Sequence, residues 1–231
     1  MEGSFVPNPL IVALDLSDGD EAERLAKDLA GAVGALKVGL ELFTAGGPAV
    51  VGRIGQHAPV FLDLKLHDIP NTVGRAASNA ASLGVDLLTV HALGGEDMVR
   101  AAVAGATDGA ALHGLEPPGV IAVTVLSSLA GEGLASPASL AFEAVTAGAR
   151  GAVVSGRDVA EVREALGAGP LLVVPGIRPS GIPSDDHMRV LSPGEALEQG
   201  ADYLVVGRPV TEAPDPAAAA ASILREVGLS A

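Results

Sequence analysis

Phe61-Leu-Asp-Leu-Lys-Leu-His-Asp-Ile-Pro-Asn-Thr72 reads first as a strand and then as the place where that strand stops. A side-chain period of two puts Asp63 and Lys65 on the same side of an extended Val60–Leu66, aimed at one space. Asp68 follows three residues later, where the strand gives way to a loop. Pro70 biases the residue before it away from helical geometry and suits the approach to a following helix. The unit is therefore strand, charged loop, helix. The fold depends on whether that unit recurs.

It recurs from end to end. Working outward, the strand candidates are Leu10–Leu16, Leu36–Leu40, Val60–Leu66, Leu87–Ala92, Val120–Leu126, Ala152–Ser155, Leu171–Ile177 and Tyr203–Arg208, and most are continuous apolar runs of the kind expected when both faces are covered. Helix signals lie between them. Asp18 to Val33 opens with acidic residues and carries Ala22, Leu25, Ala26 and Leu29 at helical spacing. Ser192-Pro-Gly-Glu195 has a capping Ser, a Pro at the first helical position and a Glu three residues after the cap. Pro216 to Val227 is expected to close the chain as an eighth helix. Gly46-Gly47 and Gly94-Gly95 read as turns, since no dinucleotide or phosphate-loop pattern surrounds them. Eight strand–helix cycles in 231 residues favour a single (β/α)₈ barrel domain over residues 1–231, because a closed barrel of this kind takes about 250 residues and each parallel strand needs a crossover helix. An open doubly wound sheet is the alternative that the pattern alone leaves standing.

Composition narrows the function classes. The net charge of −14 argues against a nucleic-acid surface, which would need a basic footprint. With 48% hydrophobic but only 2% aromatic residues, the core must be built from Ala, Val, Leu and Ile. There is no Cys, hence no disulfide framework, thiolate metal site or Cys nucleophile. No apolar run approaches the roughly 18 residues of a membrane span, and the start lacks a basic segment followed by an apolar one. The sequence reads as a soluble, untargeted, cytoplasmic protein with neither nucleic-acid nor membrane partners.

Barrels of this type carry their chemistry at the carboxyl ends of the strands. The polar residues found there are Asp15, Lys37, Asp63 with Lys65, His91, Ser127, Ser155, Arg178 and Gly207-Arg208. Two lysines and two aspartates at the ends of the first three strands are unusual, because buried charge is costly unless paired. Taken alone they could be a structural ion-pair network. His91 reads as a satisfied core histidine sooner than a ligand contact, and His57 and His113 as surface residues.

The order of residues goes further. Asp63-x-Lys65-x-x-Asp68 followed by Ile69-Pro70-Asn71-Thr72 resembles the signature of the orotidine 5′-monophosphate decarboxylase family, in its bacterial type 1 form. Ala13-Leu-Asp15 resembles that family's first-strand end, Lys37-Val-Gly39 its second, and Val123-Thr-Val-Leu-Ser-Ser128 its fifth-strand loop. Val174-Pro-Gly-Ile-Arg-Pro179 and Val206-Gly-Arg-Pro209 resemble its phosphate end. These landmarks span essentially the whole chain in the expected order.

The resemblance implies a cofactor-free, metal-free lyase that removes the C6 carboxylate of orotidine monophosphate to give uridine monophosphate in pyrimidine biosynthesis. It implies Lys65 as proton donor, Asp63 against the departing carboxylate, and Lys37 with Asp68 of a second subunit completing an alternating charge array. Asp15 and Thr72 would bind ribose hydroxyls, Ile69 would join the substrate contacts, and Ser127 would address the pyrimidine amide edge. Arg208, the Gly207 backbone N–H and the loop bearing Arg178 would hold the phosphate. The site would be shared across a homodimer, with Asp68 and Thr72 reaching into the partner's pocket. One departure stands out: where the family usually has Gln ahead of Arg-Val, this chain has Asp185-Asp-His-Met-Arg-Val190, so His187 is either a contact donating to the same groups or a bystander. Two rival functions remain. Mg²⁺-dependent keto-sugar-phosphate decarboxylases and hexulose-phosphate synthases share Asp-x-Lys-x-x-Asp, but carry Glu in place of Lys37 and lack Ile-Pro-Asn-Thr. A non-catalytic nucleotide-binding barrel would be expected to lose Lys65 or Asp63.

Overall fold

Eight parallel strands close into a barrel in sequence order, β1 against β2 and onward until β8 returns to β1. The structure is a computed structural model describing residues 8–125, 135–179 and 191–229. The strands are β1 (Leu10–Ala13), β2 (Ala35–Gly39), β3 (Val60–Leu66), β4 (Leu87–His91), β5 (Gly119–Val123), β6 (Gly151–Val153), β7 (Leu171–Pro175) and β8 (Tyr203–Val206). The helices are α1 (Gly19–Asp28), α2 (Leu40–Ile54), α3 (Pro70–Ala81), α4 (Gly95–His113), α5 (Pro137–Thr146), α6 (Val159–Leu166), α7 (Pro193–Glu198), α8 (Arg208–Thr211) and α9 (Pro216–Glu226).

Alternation along each strand separates two apolar layers. Leu10, Val12, Leu36, Val38, Leu62 and Leu88 face outward into the shell packed by the helices. Ile11, Ala13, Ala35, Phe61, Leu87, Ile121, Val173 and Val205 face inward and fill the barrel interior. An interior built from aliphatic side chains and a single Phe accounts for the near-absence of aromatics in the sequence.

The helix starts follow the local signals. The Asp18 carboxylate accepts from the amides of Asp20 and Glu21, and Ser192 with Glu195 forms a reciprocal capping box. Pro occupies the first turn of α3, α5, α7 and α9. Helices α3 and α4 meet backbone to backbone: a Cβ on Gly105 would lie 2.0 Å from the Gly74 carbonyl oxygen. That close approach fixes α3, and with it the Asp68–Thr72 segment at its start.

Three readings of the sequence change. Most strands are shorter at their carboxyl ends than the apolar runs implied; β1, for example, ends at Ala13, which frees Asp15 to leave the sheet. Gly46-Gly47 is not a turn between elements but a kink inside α2, where Gly47 takes φ 61° and ψ −162° ahead of Pro48. The last helix is preceded by the four-residue α8, so Arg208 begins a helix of its own rather than ending a strand.

Candidate active site

The charged constellation grows directly from the inward-facing positions. Ala13, Lys37 and Phe61 lie side by side in register on β1, β2 and β3. One step toward the carboxyl ends, Asp63 lies beside Gly39. Ile11 and Ala13 share one side of the first strand by period, with Asp15 just past its end, as do Ala35 and Lys37 on the second and Phe61 and Asp63 on the third. The interior is therefore apolar below and ionic at its mouth. Gly39 leaves room for the array: a Cβ there would stand 2.9 Å from the Lys37 Nζ and 3.1 Å from the Asp15 Oδ1.

Lys65 joins the others by a different route from plain alternation. The β3–β4 register shifts between Leu62 and Leu66, and within that bulge Lys65 takes φ 50°, alone among the described non-glycine residues in having positive φ. Left-handed geometry costs an L-residue roughly 1–2 kcal/mol, and such strain persists only where its surroundings hold it in place. Here its amide donates to the Thr89 Oγ1 at 2.8 Å. The bulge turns the ammonium back onto its neighbour, with Lys65 Nζ 2.8 Å from Asp63 Oδ2.

The four groups form a chain of alternating sign. Lys37 Nζ lies 2.9 Å from Asp15 Oδ1 and 3.7 Å from Asp63 Oδ2. The second Asp63 oxygen, Oδ1, accepts from the Thr89 hydroxyl at 3.0 Å. Asp63 and Lys37 are nearly buried, with side chains 12% and 11% exposed, whereas Asp15 is 58% exposed at the rim. Beside the array opens a cavity of about 220 Å³ whose other walls are largely aliphatic, including Val123, Val153, Val173 and Val205. Charge confronting an apolar wall in a partly water-excluded space makes each ionic interaction stronger than it would be in solvent.

Barrel order lays out the rest of the mouth. Running from β7 through β8 and β1 to β3, it passes Arg178, then Gly207 and Arg208, then Asp15, then Lys37, Asp63 and Lys65. Arg208 is exposed at the start of α8, and no described carboxylate pairs with it. Arg178 is partly buried, and its amide donates to the Leu191 carbonyl. Asp68 stays out of the array's contacts: it is exposed, its Oδ1 accepts from the following Ile69 amide at 2.6 Å, and it forms no ion pair with a described residue. Ile69 is 65% exposed, and Asn71 and Thr72 are exposed beside it. Ser127 and His187 lie outside the described residues.

Thr89 was not anticipated. It is fully buried in the middle of β4, where an apolar run disguises it, although its inward position two residues from Leu87 could have signalled a polar group aimed at the interior. His91, two further on, is buried and stacked on His67 with ring centroids 5.2 Å apart. Burial holds its pKa below the usual histidine value, with His67 and Lys65 adding to the effect. A neutral core histidine fits those surroundings. His57 is less exposed than expected, its Nε2 buried without a hydrogen bond.

Comparison with known proteins decides the relationship. The sequence model of the "Orotidine 5'-phosphate decarboxylase / HUMPS family" matches residues 8–223. The chain belongs to that family. It is 54% identical over 227 residues to the orotidine 5'-phosphate decarboxylase of Anaeromyxobacter dehalogenans strain 2CP-1, covering 93% of this chain and 96% of that one. It is 47% identical over 233 residues to the protein of the same name from Paramagnetospirillum magneticum, covering 96% and 99%. Among solved structures, orotidine 5'-phosphate decarboxylase from Lactobacillus acidophilus superposes with a TM-score of 0.81 at 36% identity, covering 96% of this chain and 99% of that one. An uncharacterized conserved protein from Geobacillus kaustophilus gives 0.80 at 37% identity, covering 95% and 100%.

The family's breadth makes the donor set worth stating. Among the described residues no three His, Asp or Glu side chains gather as a metal-binding group. Asp63, a carboxylate on which a divalent ion would have to rely, already faces Lys65 and Lys37 through one oxygen and Thr89 through the other. No described helix is long and apolar enough to cross a membrane.

Proposed function

We propose that the protein decarboxylates orotidine 5′-monophosphate to uridine 5′-monophosphate, as a cytoplasmic step of pyrimidine biosynthesis, with the whole chain serving as one catalytic barrel domain. The observation that carries this reading is the Asp15–Lys37–Asp63–Lys65 chain of contacts beside an apolar cavity at the barrel mouth. The barrel order suits a nucleotide lying across it. Phosphate falls at Arg178, Gly207 and Arg208 after β7 and β8, a common phosphate position in such barrels. Ribose falls at Asp15, and C6 of the base at Lys65.

Chemistry follows from the charges. The C6 carboxylate sits against Asp63, and their repulsion is relieved as carbon dioxide departs. The C6–carboxylate bond breaks and leaves its electron pair on C6, where the Lys65 ammonium stabilises it and then delivers a proton from Nζ. Asp63 Oδ2, 2.8 Å away, accepts from that ammonium and orients it. Lys37 holds Asp15 and Asp63 in place from between them. The acidic exterior surrounds a locally cationic mouth, which reconciles a net charge of −14 with an anionic substrate.

The array gains its remaining carboxylate from a second copy of the chain. In this arrangement Asp68 and Thr72 serve the partner's pocket, with Ile69 beside them; the amide edge is assigned to Ser127 and a contact between phosphate and base to His187, both outside the described residues. Exposed Leu40, Ile69 and Leu93, each following the end of one of three adjacent strands, supply an apolar rim for such a contact. The direct test follows the loss of orotidine monophosphate absorbance with purified protein, with and without excess chelator. Full activity in both is expected. Loss of activity restored by Mg²⁺ would favour a sugar-phosphate enzyme of the same family, and nucleotide binding without turnover a non-catalytic barrel.

Arg208→Ala tests the phosphate end. The variant should lose roughly 2–5 kcal/mol of transition-state stabilisation in kcat/KM, because a partly desolvated charge contact is removed. The unphosphorylated nucleoside should react equally poorly with both proteins. Wild-type kinetics on the phosphorylated substrate would place the phosphate site elsewhere.

A further inference from the structure

The strained Lys65 and the oriented Asp63 share one support. The Thr89 hydroxyl has a single hydrogen, which it donates to Asp63 Oδ1 at 3.0 Å, and it accepts the Lys65 amide at 2.8 Å. Its hydrogen-bonding capacity thus runs from the backbone of one ionic partner to the carboxylate of the other. The position is fully buried, so no solvent can substitute without the structure opening. The amide bond holds the one described non-glycine residue with left-handed backbone, and both bonds fall where the β3–β4 ladder loses register. The Lys65 amide has left that ladder, and Thr89 supplies the acceptor it would otherwise lack. Holding Oδ1 also decides which carboxylate oxygen remains for the lysines: Oδ2 meets Lys65 at 2.8 Å and Lys37 at 3.7 Å.

We propose that Thr89 is a positioning residue for the decarboxylation, its hydroxyl fixing the geometry of the Asp63–Lys65 pair from behind. The inference rests on the function proposed above. Thr89 does not line the cavity; it acts through the two residues that do. A catalytic pair set by a bulge and a single hydroxyl is sensitive to small displacements, and proton delivery to carbon depends on near-contact geometry. Loss of the hydroxyl should therefore lower kcat while leaving KM nearly unchanged, since phosphate and ribose contacts lie on other strands. A core residue of merely structural importance would reduce the fraction of folded sites without changing turnover per site.

The experiment compares Thr89→Val, Thr89→Ser and Thr89→Cys, with competent sites counted by uridine monophosphate titration. Thr89→Val keeps the shape and removes the hydroxyl; kcat per site should fall about 10- to 100-fold, the equivalent of one buried unsatisfied polar group. KM should stay within about threefold of wild type, a change smaller than one lost neutral hydrogen bond would give. Thr89→Ser should restore kcat to within about threefold. Thr89→Cys, near in size to Ser but a poor hydrogen-bonding partner, should behave like Thr89→Val, and this pair decides the matter if the Val variant does not fold. Crystal structures without ligand should show Lys65 leaving its positive φ, or its contact with Asp63 lengthening, in the Val and Cys variants only. Wild-type kcat in Thr89→Val or Thr89→Cys, or equal losses in Ser and Cys, would overturn the proposal. If the wild-type protein itself fails to consume orotidine monophosphate, the functional reading falls, and the crystal structures still decide whether Thr89 sets the pair's geometry.

Discussion

Lys65→Ala is expected to lower turnover of orotidine monophosphate by about 10⁴-fold or more while the protein stays folded. Two effects are lost together. Positioned general acids contribute roughly 10²–10⁴-fold, and a preorganised charge at a developing anion about 10²–10³-fold. The fold should tolerate the change for specific reasons. Lys65 occupies left-handed backbone in which Lys and Ala meet the same Cβ clash, so Ala adds no new backbone cost. Its amide can still donate to Thr89, and Asp63 is not left alone, because Lys37 remains 3.7 Å from Oδ2 and Thr89 still donates to Oδ1. Uridine monophosphate should bind the variant, since the phosphate and ribose contacts come from other strands. Circular dichroism and product titration check those points, and the absorbance assay checks the rate. A variant retaining a tenth of wild-type turnover would remove Lys65 from the role of proton donor.

How far the sequence foretells this arrangement depends on the kind of information each feature needs. The third strand is read with its observed ends, Val60–Leu66, because charges at alternate positions mark its face and Pro70 marks the following helix. The ends of β1 and β5 are read too long, since Leu14 and Val125 extend the hydrophobic pattern after the ladder has ended. Hydropathy records burial, and these residues remain under cover after leaving the sheet. Asp63 and Lys65 are correctly placed together, but for an incomplete reason. Period two would suffice only in a regular strand, whereas the structure brings them together through a bulge and a left-handed lysine. Glycine announces such backbone in sequence; lysine does not. The role of Thr89 is hidden for a related reason, even though its inward position is legible. Its importance lies in a cross-strand partner 26 residues away, which no local pattern encodes. The kink in α2 was misread because paired glycines signal a break without saying whether the helix resumes, and Pro48 can begin a new turn as readily as end one.

The proposed sharing of Asp68 across a homodimer carries the largest expected gain of activity. Asp68 stands only three residues past Lys65, so a local arrangement would place both in the same pocket. Yet Asp68 is exposed, turned onto the Ile69 amide, and pairs with neither lysine. Exposed Ile69 beside it, with Leu40 and Leu93 at the ends of the flanking strands, forms a rim suited to contact with a second copy. In a two-fold dimer each subunit would give an Asp68 and receive one, making the two pockets equivalent. Lys65→Ala and Asp68→Ala proteins, each nearly inactive, are mixed and allowed to exchange subunits. In a mixed dimer one pocket then carries both defects, while the other combines an intact Lys65 with an intact Asp68. Random pairing makes about half the dimers mixed, and one sound pocket in each amounts to about a quarter of all sites. Activity should rise from near zero to about a quarter of the wild-type value, with unmixed variants at equal concentration as controls. If Asp68 serves its own chain's Lys65, every pocket keeps one defect and no rise occurs. Labelled subunits report whether exchange has taken place. Complete exchange with activity still at background would return Asp68 to its own subunit and leave the Lys37–Asp63–Lys65 array to be completed by some other group.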